Sequence, residues 1–107
     1  MNEPIISEIQ IVPIKPQNGL VAFVSFVVNN QFYLGNIAIY TSPSNQIGYR
    51  LVYPSKILPN GKSINCVYPI NQETGNVIQK RIIGQYVKLI ENLMKGDKKS
   101  GQKQGAT

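Results

Sequence analysis

Apolar and polar side chains alternate from the start of the chain: Ile5, Ile9 and Ile11 fall on one face, Glu8 and Gln10 on the other. A period of two marks a half-buried strand, so residues 5–15 are read as a first strand. Pro13 and Pro16 bracket its end, and a residue lacking an N–H belongs at a sheet edge or a bulge. Gln17-Asn18-Gly19 follows as a turn, because Asn and Gly adopt left-handed backbone at little cost. Residues 20–28 are the most apolar segment, rich in Val and Phe, and predict a central strand. Asn29-Asn30 supplies two residues that tolerate positive φ, as a tight hairpin requires. Residues 31–40 return as the partner strand, with Gly35 marking a bulge.

The remaining sheet elements are shorter. Residues 41–45 read as a loop, 48–53 as a fourth strand and 64–68 as a candidate fifth. Residues 54–62 hold two prolines, an Asn-Gly pair and two lysines, which predicts an exposed, stiffened loop.

From residue 72 the period changes to that of a helix, expected over residues 72–95 with Asn71 as N-cap and Glu73 complementing the dipole. Ile78, Ile82, Tyr86, Leu89 and Leu93 fill one sector of this helix, and Ile83, Val87, Ile90 and Met94 fill the sector beside it. The apolar arc is wider than the roughly 100° stripe that one sheet contact needs. A second copy of the chain would cover the surplus, so a homodimer is expected. The opposite sector carries Lys80, Arg81, Lys88 and Lys95 against Glu91. That sector is either an ordinary solvated face or a set of phosphate contacts. Gly96 is read as the helix stop, which divides the chain into a domain over residues 1–95 and a disordered basic tail over 96–107.

Composition sharpens this picture. A chain of 107 residues, 42% of them apolar, holds one domain with one core. Eleven Lys and Arg against five Asp and Glu give +6, of which +3 lies from Lys95 onward. A basic balance favours polyanionic partners, since phosphate neutralisation releases counterions. The N-terminus lacks the basic and apolar regions of a signal peptide, and the apolar run in residues 20–28 is far shorter than a membrane span. A cytoplasmic protein without membrane contact is therefore expected.

The inventory argues against catalysis. The chain has no His and one Cys, so neither a Ser-His or Cys-His pair nor a zinc site can be assembled. The five carboxylates are scattered, and no glycine pattern for phosphate binding is present. No enzyme activity, metal or cofactor is expected. Cys66, in an extended apolar stretch, is read as a buried, inert thiol. Familiar nucleic-acid motifs are absent too, and residues 20–28 lack the basic and aromatic signature of an RNA-recognition sheet. Arg50 does lie between Tyr49 and Tyr53, with Lys56 close behind. Such aromatics either stack on unpaired bases or pack the core.

One resemblance organises these features. Pro54-Ser55-Lys56, then Pro59-x-Gly61, then Pro69-Ile70-Asn71, then Thr74, Ile78 and Tyr86 follow the central signature of the SpoVG family. In that family a Pro-Ser-Lys loop with Pro-Asp-Gly precedes His-Pro-Ile and a helix closing on Tyr. Ile6-Ser7-Glu8-Ile9-Gln10-Ile11 resembles its opening strand; Ala22-Phe23-Val24-Ser25, Phe32 and Ile37 resemble its second and third. The similarity covers roughly residues 5–90. It implies an α+β fold, a mainly antiparallel sheet of four to five strands with a C-terminal helix, in a homodimer. It also implies a regulator, linked to sporulation and septation, that binds DNA or RNA through the basic positions of the Pro-Ser-Lys loop. Lys56 matches the loop lysine. The family's following Arg is Ile57 here, a second basic position is Ile64, the His is Tyr68, and Asp-Gly has become Asn60-Gly61. Lys62 restores part of the lost charge.

The sequence therefore predicts a dimeric nucleic-acid-binding regulator, with Lys56, Lys62, Arg50, Lys80, Arg81 and Lys88 as phosphate contacts. The rival expectation is a septation or regulatory protein whose partner is another protein, docked on Ile57 and Leu58.

Overall fold

The structure, a computed structural model, describes the backbone of residues 3–103 and the side chains of residues 3–94. Strands β1 (Ile6–Gln17), β2 (Leu20–Val28), β3 (Phe32–Thr41) and β4 (Tyr49–Val52) form an antiparallel meander in the order β1-β2-β3-β4. Strands β5 (Ser55–Ile57) and β6 (Ser63–Asn65) pair only with each other, and helix α1 (Gln72–Lys103) follows. The fold is α+β, as expected.

The turns sit where their residues demand. Asn18 and Gly19 take φ of 53° and 90°, and Asn29 and Asn30 take 55° and 56°. Two successive left-handed residues give the turn whose twist matches a hairpin. Asn71 caps α1, its Oδ1 accepting the Thr74 N–H at 2.8 Å.

Two of the four register shifts in the main sheet, those beside Glu8 and Gly35, set the inward phase of β1 and β3. The β1–β2 register slips between Ser7 and Gln10, with Glu8 at φ 50°. One extra residue reverses the inward phase. Ile6 is therefore buried and Ile5 is 60% exposed, the opposite of what unbroken alternation through Ile5, Ile9 and Ile11 implies. The β2–β3 register slips beside Gly35, as the sequence predicts, with Asn36 at φ 60°.

The core lies between one face of the main sheet and α1. Phe26, Ile37, Ile39 and Ile82 are fully enclosed, and each contributes about 1.5–3 kcal/mol by leaving water. From the helix, Ile78, Ile82, Ile83 and Tyr86 enter this core, with Val87 and Ile90 packed at its margin. The chain's own sheet thus occupies much of both apolar sectors. The exposed apolar remainder of the helix is Leu93 and Met94, among the described residues.

Four local expectations change. Residues 54–62 are not merely a loop, because they build one arm and the turn of the β5–β6 hairpin. The fifth strand does not extend the main sheet. Cys66 is exposed, since it follows a strand that stands outside the core. The helix also continues past Gly96 to Lys103; residues 104–107 of the expected tail lie outside the described residues. No described helix is long and apolar enough to cross a membrane.

Candidate nucleic-acid interface

The β5–β6 hairpin is built by its own hydrogen bonds. Ser55 pairs with Asn65, Lys56 with Ile64 and Ile57 with Ser63. The ladder continues one step further, with Leu58 N–H donating to the Lys62 carbonyl at 2.7 Å. The turn closes through Gly61, at φ 86°, whose N–H donates to the Leu58 carbonyl at 2.9 Å. Asn60 Oδ1 accepts the Lys62 N–H at 3.0 Å, which explains Asn in this turn. At the base, Cys66 N–H donates to the Pro54 carbonyl at 3.1 Å.

This register sets the direction of the side chains. Lys56 lies opposite Ile64, and Lys62 stands two residues before Ile64. The two lysines are therefore diagonal neighbours on one face of the hairpin, about 7–8 Å apart at their backbones. Both are exposed. Ile57 points to the other face and is 68% exposed; Ile64, beside the lysines, is 49% exposed. The arrangement suits an anion that spans both ammonium groups, with apolar surface close by.

The charge map around the hairpin is one-sided. Residues 9–72 contain Lys15, Arg50, Lys56 and Lys62 and no Asp or Glu. The sheet beyond the Glu8 bulge and the whole hairpin thus carry +4 with no internal carboxylate. Fields of one sign over such a span draw polyanions and weaken with salt.

Arg50 is exposed on β4, opposite Tyr40 in the β3–β4 register. Its guanidinium carbon lies 5.2 Å from the centre of the Tyr40 ring, a stacking worth about 0.5–1 kcal/mol at an exposed site. Tyr49 and Tyr53, its sequence neighbours, face the core. Tyr49 meets Tyr86 edge-on at 5.1 Å. The Tyr53 hydroxyl is buried without a hydrogen-bond partner among the described residues, and burial pushes it up to about 12. Burial, followed by the neighbouring Tyr49, likewise raises Tyr86 above its usual range. The packing role thus belongs to Tyr49 and Tyr53. The aromatic companion of Arg50 is Tyr40, which only the strand register identifies.

The helix cations stand in a different setting. Lys80 and Arg81 line a surface cavity of about 430 Å³ together with Glu3, Glu73 and Ile47. Two cations face two carboxylates there, so the local field is close to neutral. Arg81 has a structural task as well, because its Nη2 donates to the Ile6 carbonyl at 3.0 Å and ties α1 to β1. Lys88 is exposed further along α1, three residues before Glu91. The side chain of Lys95 lies outside the described residues. The structure sets Lys56 and Lys62 on one face of the hairpin, places Arg50 on β4 of the main sheet, and puts Lys80 and Arg81 among carboxylates.

Comparison with known proteins supplies the family. The SpoVG family model matches residues 5–88. A SpoVG protein of Clostridium perfringens, whose name ties it to septation, is 33% identical over 88 residues, spanning 82% of this chain and 93% of the relative. Similarly named proteins match from Caldanaerobacter subterraneus, at 29% identity over 81% of this chain and 92% of the relative, and Caldicellulosiruptor bescii, at 31% over 79% and 93%. With the family model matching residues 5–88 and a relative 33% identical over 82% of the chain, the chain belongs to the SpoVG family.

Proposed function

We propose that the chain is a homodimeric, non-catalytic nucleic-acid-binding regulator of the cytoplasm, serving a process linked to septation or sporulation. The observation that carries this reading is the exposed Lys56–Lys62 pair on a hairpin within a 64-residue stretch free of carboxylates. Phosphates are its natural ligand, because two adjacent ammonium groups lacking a local acid gain most from a polyanion. Contacts of this kind position a nucleic acid without reading its sequence, so specificity is modest. They require no metal or cofactor. The septation link rests on the names of the relatives, and the dimer on the exposed apolar residues Leu93 and Met94 near the end of the described side chains.

The test is fluorescence anisotropy with labelled duplex and single-stranded oligonucleotides between 50 and 200 mM salt. Neutralising about four phosphates gives a log–log slope of about −3.6 on duplex, a roughly 150-fold loss of affinity across that range, and about −2.8 on a single strand, a roughly 50-fold loss. A slope near zero contradicts the proposal. Light scattering at micromolar concentration reports a mass of two chains, and a monomeric mass removes the dimer.

A second reading is favoured by Ile57 and Ile64, which stay exposed where the resemblance expects cations. On that reading the hairpin docks a protein, binding tolerates salt, and Ile57→Ser with Leu58→Ser abolishes capture of the partner.

A further inference from the structure

We propose that the sheet face turned away from α1 is a stacking surface for the unpaired bases of single-stranded nucleic acid. The inference rests on the nucleic-acid reading above and gives it a substrate class.

Helix α1 covers one face of the four-stranded sheet; Ile37, Ile39, Leu51 and Tyr53 point into the core between them. Alternation places Tyr40, Arg50 and Phe23 on the other face. Here Gln10, Val12, Phe23, Ser25, Tyr33 and Asn36 border a shallow concavity of about 360 Å³. The register links them, with Gln10 opposite Ser25, Val12 opposite Phe23 and Val27 opposite Tyr33.

Gly35 explains the posture of Tyr33. A Cβ at Gly35 would stand 2.9 Å from Tyr33 Cε2, 3.0 Å from its hydroxyl and 3.2 Å from Cζ. The ring therefore lies back along β3 over a residue with no side chain, and Tyr33 is still 73% exposed. A tyrosine laid on a sheet with one side open is a platform for a flat ring. At the far end of β3 the second aromatic, Tyr40, carries the Arg50 guanidinium at 5.2 Å. The two tyrosines are about 20 Å apart at ~3.3 Å per residue, and Phe23 lies on the neighbouring strand between them. Such a track accommodates several nucleotides.

Charge and polarity select the occupant. No carboxylate occurs between residues 9 and 72; Glu8 stands at the β1 bulge two residues before Gln10, and Arg50 stands on this face beside Tyr40, so a phosphate backbone is attracted to the Tyr40–Arg50 end. Gln10, Ser25 and Asn36 supply amide and hydroxyl groups between the aromatics, a mixture suited to base edges rather than to a dry sheet-on-sheet contact. Paired bases hide their faces inside the duplex, whereas unpaired bases offer them.

The experiment compares wild type, Tyr33→Ala and Gly35→Ala by anisotropy on single-stranded DNA, single-stranded RNA, an abasic strand of equal length and a duplex. Gly35 has no positive φ, and its added methyl meets only the far end of a side chain, so Gly35→Ala swings the Tyr33 ring while keeping the fold. Both variants should lose about tenfold in affinity for either single strand, with the abasic strand and the duplex unaffected. Loss on DNA alone or RNA alone identifies which strand the surface serves. Unchanged single-strand affinity in both variants, with wild type still binding, overturns the inference and leaves the proposed function standing. A change of mass by light scattering in the variants overturns it in favour of a second copy on this face. No binding of any oligonucleotide by wild type overturns both.

Discussion

Arg81 offers a perturbation that separates the architecture of the helix from its charge. Its Nη2 donates to the Ile6 carbonyl at 3.0 Å, across 75 residues of sequence, at a partly buried position. That carbonyl lies on edge strand β1, just before the Glu8 bulge, where regular pairing with β2 is interrupted. A hydrogen bond from a charged donor contributes about 1.5–3 kcal/mol, and exposure of the arginine argues for the lower end. Arg81→Met keeps most of the stem's packing and should cost about 1.5 kcal/mol. With a urea slope on the order of 1–1.5 kcal/mol/M for a chain of this size, the midpoint falls by about 1 M. Lys80→Ala, one residue away and with no such bond among the described residues, stays within about 0.5 kcal/mol of wild type. Far-UV circular dichroism in urea at fixed protein concentration reads both. An Arg81→Met midpoint equal to that of Lys80→Ala would refute the assignment of Arg81 as the tie between α1 and β1.

Two further outcomes follow from the core. Tyr53→Phe removes a buried hydroxyl with no partner among the described residues and should stabilise the fold by about 1 kcal/mol. Because folding raises the Tyr53 pKa, its contribution is intact below pH 10 and is lost as pH rises towards about 12; Tyr53→Phe should flatten that part of the alkaline stability profile, and an identical profile counts against its burial. Ile82→Ala, at a fully enclosed helix position, should cost about 2–5 kcal/mol in the same urea assay, and a loss under 1 kcal/mol would contradict the core described here.

What could be read from sequence was local. Asn18-Gly19 and Asn29-Asn30 announce turns because these residues tolerate left-handed backbone, and Asn71 announces a helix start because its side chain accepts the Thr74 N–H. The strand order of the meander follows from those short connections. The misassignment of Ile5 has a different origin: the Glu8 bulge adds one residue, and a polar residue at an edge carries no signal that it will do so. The β5–β6 hairpin escaped because residues 54–62, with two prolines, read as an irregular loop, although Asn60-Gly61 is itself a hairpin signal. Cys66 is exposed for the same reason, since it sits at the base of that hairpin. The site shows the same division. Lys56 and Lys62 are visible as charges near a turn, but their shared face depends on the register of the hairpin. The pairing of Arg50 with Tyr40, the use of Arg81 as a tie and the rest of Tyr33 on Gly35 are contacts that depend on the folded structure.

The central claim is that the hairpin lysines meet phosphate. It is tested most directly by measuring the salt dependence of oligonucleotide affinity for wild type and for Lys56→Ala/Lys62→Ala. If each lysine neutralises one phosphate, the double variant binds more weakly at 50 mM salt and its slope is shallower, per chain, by about 1.8 on duplex and about 1.4 on a single strand. An unchanged affinity and slope in a variant with wild-type stability would contradict the account.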